Sequence, residues 1–163
     1  MFRSISWPAS AGLFSAVCLA AAVFGASPAA AQTEFRGGGF ITDFSPQCAV
    51  EGWFGSVRAS TRYRPSGLEG NGDTSRLSFF MDNGAVNYRV NGRFGTGFQQ
   101  VDAFAIFSSA YEQTIARPRV RLAPGSSINI GQGTTLVTLN GDVQNFNNVA
   151  DCSARFRFYM HRR

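Results

Sequence analysis

The 163-residue sequence contains no lysine, a single histidine and three cysteines. Without lysine every one of its 15 basic residues is an arginine, set against 10 acids. The lone histidine, His161, sits near the C-terminus where chains fray, so catalysis or metal binding built on an internal imidazole is excluded. No CxxC pair, HExxH, GxGxxG, phosphate-binding loop or nucleophile elbow occurs. That removes the redox, zinc-protease, dinucleotide and α/β-hydrolase chemistries a sequence can announce. No segment keeps a helical hydrophobic repeat over three turns, which excludes bundles, coiled coils and βαβ units. The longest apolar stretch, around Leu13 to Phe24, is short for a bilayer span, so no retained membrane helix is expected.

That stretch has the parts of a secretory signal. Arg3 gives the positive start, Pro28 breaks the segment, and Ala29-Ala30-Ala31 offers small side chains to a signal peptidase. Residues 1–31 read as a cleaved Sec-type bacterial signal peptide, with Gln32 the mature start. Cys18 is then an ordinary apolar member of the signal core. A periplasmic or secreted destination is expected, with the outer membrane as the alternative. About 132 residues remain, one domain's worth of chain. Residues 32–39, with Gly37-Gly38-Gly39, read as a flexible leader, and 40–163 as the folded domain.

Beyond the signal only Cys48 and Cys152 are left. An even count in an exported domain favours a disulfide over free thiols. Such a bond requires the first and last strands to be neighbours or to face one another across the core.

Period-2 alternation carries the fold class. Trp53, Val57, Ala59, Thr61 and Tyr63 oppose Phe54, Arg58, Ser60, Arg62 and Arg64. Residues 76–81 and 85–91 flank Asp82-Asn83-Gly84, a hairpin signal suited to a type I′ turn. Val101 to Phe107 is apolar on both sides and reads as a central strand, with a short helix through Ala110 as the alternative. Residues 117–122 alternate with Pro118 at a strand start or edge. Short strands are expected over 126–130 and 134–139, then a turn at Asn140-Gly141-Asp142. Ala154, Phe156, Phe158 and Met160 oppose Arg155, Arg157, Tyr159 and His161. The sum is an all-β, single-domain antiparallel β-sandwich, jelly-roll-like or similar, of eight or nine short strands. A small eight-stranded barrel is the alternative. Of the 16 phenylalanines, 13 follow Ala31 and are expected to fill the interior.

Three patterns bear on function. Arg58, Arg62 and Arg64 share one strand face, Arg117, Arg119 and Arg121 another, and Arg155 and Arg157 a third. If those strands adjoin, the guanidinium groups form an anion-binding surface, since each can hold a carboxylate, phosphate or sulfate through two parallel hydrogen bonds. The plain alternative is a solvated face on which Arg is simply the available cation. Trp53, Tyr63 and Tyr88 could stack on sugar rings, although their place in apolar strand faces suits core packing better. Glu69, Asn71 and Asp73 alternate in a Gly-rich loop and could wrap Ca2+, but the full acidic ligand set of a calcium loop is missing. Glu51 with Asp43, or Asp102 with Glu112, could converge as a carboxylate pair for glycan hydrolysis.

These features lead to the expectation of an exported, noncatalytic β-domain that binds or organises something at the cell envelope. An envelope component or a small anionic or glycan ligand is the expected partner. Export and modest net charge argue against nucleic acid. A small outer-membrane β-barrel and a secreted hydrolase acting on a glycan are the competing expectations.

Overall fold

The computed structural model describes residues 32–107 and 112–163; the expected signal, including Arg3 and Cys18, lies outside them. Ten strands are present among the described residues: β1 (Phe35–Thr42), β2 (Val57–Arg64), β3 (Thr74–Met81), β4 (Gly84–Asn91), β5 (Gln99–Gln100), β6 (Asp102–Phe107), β7 (Glu112–Thr114), β8 (Arg119–Leu122), β9 (Leu136–Gln144) and β10 (Ser153–Arg162). Two short 3-10 turns, Pro46–Glu51 and Phe146–Asn148, complete the set. All strands belong to one sheet in the order β5-β8-β9-β10-β1-β2-β3-β4-β6-β7, and every neighbouring pair is antiparallel.

This sheet curls 291° round an axis and stops with its edges 13 Å apart, a half-barrel and not a closed barrel. The all-β antiparallel expectation holds. The two facing layers of the expected sandwich are instead opposite walls of a single curled sheet. The reason is visible in β5 and β6. They are separated by Val101 alone, yet β5 pairs with β8 at one edge while β6 pairs with β4 near the other, so the chain itself spans the seam.

Inside, alternation places the rings where the sequence suggests. On β10, Ala154, Phe156, Phe158 and Met160 are buried while Arg155, Arg157, Tyr159 and His161 face out. Phe79 meets Tyr88, Phe156 and Phe158 at centroid distances of 5.3, 5.3 and 4.8 Å. A second cluster closes one end, where Trp53 and Phe44 pack on Phe146 at 5.1 and 5.8 Å. Each such ring contributes about 1.5–3 kcal/mol by leaving water. The phenylalanine side of the sheet therefore points inward and the arginine side outward, the reverse of what a lipid-embedded barrel requires. Among the described residues no helix is long and apolar enough to cross a membrane.

The Cys48–Cys152 disulfide forms, with Cα atoms 4.7 Å apart, and of the two arrangements it allows the first and last strands take direct pairing, β1 with β10. Ser45 clamps the same corner. Its backbone N–H donates to the Ser153 carbonyl at 2.8 Å, and its hydroxyl accepts the Ser153 N–H at 3.0 Å.

Two glycine signals have another cause than local flexibility. Residues 35–39 are not a leader but most of β1, where Gly37 and Gly39 run close against β10. A Cβ on either would collide with a backbone carbonyl of β10, that of Tyr159 or Arg157. Likewise Asn140-Gly141-Asp142 is no turn: β9 runs straight through it, because Gly141 lies under the Phe156 ring and against the Arg121 carbonyl. Residues 126–130 form no strand; Ser126 and Ser127 instead bond to β9 as a covering loop. The β3–β4 hairpin forms, but Met81 pairs with Gly84 and neither Asp82 nor Asn83 has positive φ, so its turn is not type I′. Asp102–Phe107 is a strand, which removes the helical alternative there.

Candidate functional site: an arginine-bearing outer face

The order β8-β9-β10-β1-β2 puts the three arginine-bearing segments on one continuous wall, each separated from the next by a single strand. Arg58, Arg62 and Arg64 of β2, Arg119 and Arg121 of β8, and Arg155 and Arg157 of β10 share its outer face. Arg117 does not join them. It precedes β8 with φ of 48° and lines a separate hollow of about 340 Å3 with Arg119, Gln144, Asn145, Asp151 and Ser153. Sequence reasoning missed three members of the wall: Arg36 on β1, Arg76 on β3 and Arg89 on β4.

Register brings these side chains face to face. Arg36 stands opposite Arg62, Arg64 opposite Arg76, and Arg76 opposite Arg89. Like charges directly across a ladder destabilise a sheet. Asp102 follows opposite Arg89 in register, yet no ion pair closes between them, and Arg76 meets no carboxylate among the described residues. Acids are sparse in the strands: only Asp102, Glu112 and Asp142 lie within them among the described residues, and of these Asp142 alone is on the β8-to-β2 wall.

The acids that do reach the wall are fully engaged. Glu34, 5% exposed, takes Arg64 Nε at 2.6 Å, Arg62 Nε at 3.3 Å and Arg36 Nε. Burial by itself raises the Glu34 pKa, but hydrogen bonds from Arg36 and Arg64 and the charges of Arg62 and Arg64 outweigh it and hold the carboxyl below its ordinary range. One carboxylate among three guanidinium groups leaves the cluster positive. Asp142 accepts from Arg121 at 2.7 Å and Arg155 at 3.3 Å, and Asp43 pairs with Arg155 at 2.8 Å. Arg58 and Arg157 remain without a carboxylate partner among the described residues; Arg157 donates Nε to Asn140 Oδ1 at 3.1 Å.

The other expected site residues lie away from this face. Trp53, Tyr63 and Tyr88 are buried in three different ring contacts, with Phe146, Phe94 and Phe79, and do not share one surface, though Trp53 also borders a hollow. Burial pushes the Tyr63 hydroxyl up to about 12, against a lowering by the Ser75 hydrogen bond and the Arg93 charge, and raises the Tyr88 hydroxyl further. In the loop 65–73, Asn71 donates its amide to the carbonyls of Thr33 at 2.7 Å and Pro65 at 2.8 Å, tying the loop to the N-terminal segment, while Glu69 and Asp73 are exposed. No group of three or more His, Cys, Asp or Glu close enough to hold a metal occurs among the described residues. Asp43 pairs with Arg155, and in backbone register Asp102 lies four residues along β6 from Ile106, the partner of Glu112. Glu51 and Asp82 do border one hollow of about 400 Å3 beside Arg58.

No family model matches this chain, and no curated protein or solved structure matches it either.

Proposed function

We propose that this chain is an exported, noncatalytic β-domain of the cell envelope that binds an anionic ligand on the outer face of its curled sheet. One observation carries the proposal: Arg64, Arg76 and Arg89 stand in direct cross-strand register with no carboxylate among the described residues to relieve Arg76. An arrangement that costs the sheet stability is retained where it serves a ligand, and fixed guanidinium groups at strand spacing suit a chain of anionic groups. The disulfide and the export-like N-terminal segment agree with an oxidising compartment.

The test is calorimetric titration of the purified protein with dextran sulfate and with neutral dextran. Dextran sulfate should bind at about 0.05 M salt and weaken steeply toward about 0.5 M as counterion release loses its advantage. Arg89→Glu should weaken it further at low salt. No binding at low salt, or equal binding of neutral dextran, overturns the proposal.

A further inference from the structure

Resting on that reading, we propose that a trough on the outer face, between Arg58 and Arg157, seats an acidic sugar unit of a glycan. Phe40 of β1 stands in register with Arg157 on one side and Arg58 on the other. The two Cα positions are thus two strand spacings apart, about 10 Å. Two residues along β1, Gly38 lies between Tyr159 and Ser60 and contributes no side chain. The result is a hollow of about 430 Å3, within the volume range of small-ligand sites. Gly38 and Gly39 form its floor, Phe40 and Tyr159 its walls, and Arg58 and Arg157 its flanks. A second hollow of about 410 Å3 continues past Phe40 toward Thr42 and Arg155.

Three features select this ligand class. Phe40 and Tyr159 are 48% and 54% exposed, on a sheet whose other large rings are mostly interior. Exposed ring faces beside a hollow suit the C–H face of a sugar better than a bare phosphate, which offers no apolar surface. Arg58 and Arg157 flank the hollow without a carboxylate partner among the described residues, because Asp142 and Asp43 are taken by Arg121 and Arg155. A sugar carboxylate would complete them in the bidentate manner arginine favours. Gly38 is the third feature. Close approach of β10 dictates Gly37 and Gly39, whereas a Cβ at Gly38 would press tightly on the Ala59 carbonyl at 3.1 Å and reach Ser60 Cα at 3.8 Å without the outright collision of its neighbours. The open floor is thus less a packing necessity than its two neighbours are.

The test titrates the full protein with oligogalacturonate, a neutral oligosaccharide of equal length, inorganic polyphosphate and phosphatidylglycerol vesicles. Oligogalacturonate should bind and the neutral sugar should not. The double variant Phe40→Ala/Tyr159→Ala, both exposed positions, should lose about tenfold in oligogalacturonate affinity while keeping its polyphosphate affinity and its unfolding midpoint. Arg58→Gln/Arg157→Gln should lose at least as much. Polyphosphate binding with no oligogalacturonate binding, or oligogalacturonate binding sensitive to Arg76→Glu but not to Phe40→Ala/Tyr159→Ala, overturns the sugar site and leaves the anion-binding reading standing. Vesicle binding that depends on Phe40 and Tyr159 in place of uronate binding also overturns it. Failure to bind any anionic probe overturns both.

Discussion

Arg76 lies on the outer face of β3 directly between Arg64 and Arg89, so Arg76→Glu converts two like-charge pairs into two opposite-charge pairs. A charged cross-strand pair shifts stability by about 0.2–1 kcal/mol in either direction. Exposure and screening hold each term near the bottom of that range. Removing two repulsions and adding two attractions should therefore stabilise the fold by about 1 kcal/mol, a rise of roughly 4 °C in melting temperature for a domain of this size. Urea unfolding at low salt is the assay, repeated near 1 M salt, where a Debye length of about 3 Å removes most of the gain. The same variant should bind dextran sulfate more weakly. A gain in stability bought at the expense of binding is the signature of residues held for a ligand. Loss of stability at low salt, or a gain unaffected by salt, would refute the electrostatic reasoning.

Three further outcomes follow from the interior and its borders. Replacing both Cys48 and Cys152 by Ala frees a closure of 104 positions, and loop-closure entropy sets the loss at about 4.7 kcal/mol as an upper figure; urea midpoints of oxidised protein and double variant should differ by at least about 1 M, and coincident curves would contradict this. Tyr88 is buried with its hydroxyl unpartnered, so Tyr88→Phe should raise stability by about 1 kcal/mol, and a clear loss in the same denaturation assay would show that the hydroxyl is satisfied. The Glu34 carboxyl is held below its ordinary 4.5 in the folded state, so its contribution is complete above that pH and disappears as pH falls through the folded value. Glu34→Gln should accordingly cost about 2 kcal/mol at pH 7, with the gap to wild type closing as acid protonates the folded carboxyl below its ordinary range; a gap that persists in acid would exclude the carboxylate as its source.

Much of this architecture could be read from alternation. The inward set on β10 and the arginine faces of β2 and β8 follow from side chains pointing to opposite sides of a strand, and two cysteines bring β1 and β10 together without deciding whether they pair or face across the core. Alternation is blind, however, to whether the wall across the core belongs to a second sheet or to the same one curled round. Glycine misled for a related reason. At Gly37, Gly39 and Gly141 the residue is required by an adjacent strand or ring, which no local window contains, so the positions resemble a leader and a turn. Tyr159 was legible as an outward residue, since it shares parity with Arg155 and Arg157. Phe40 was not, because Gly37-Gly38-Gly39 before it resemble a leader and give its strand no parity. Glu34 carries no local mark; only the register of β1 against β2 brings Arg62 and Arg64 to it.

The most direct measurement is an NMR titration of isotope-labelled protein with a short dextran sulfate, following the arginine Nε–Hε resonances. Shifts are expected at Arg58, Arg76, Arg89 and Arg157 on the outer face, with Phe79 and Tyr88 in the interior unmoved. Shifts confined to the loop 65–73 or to the edge strands β5 and β7, or no shifts at all, would contradict an anion site on the outer wall.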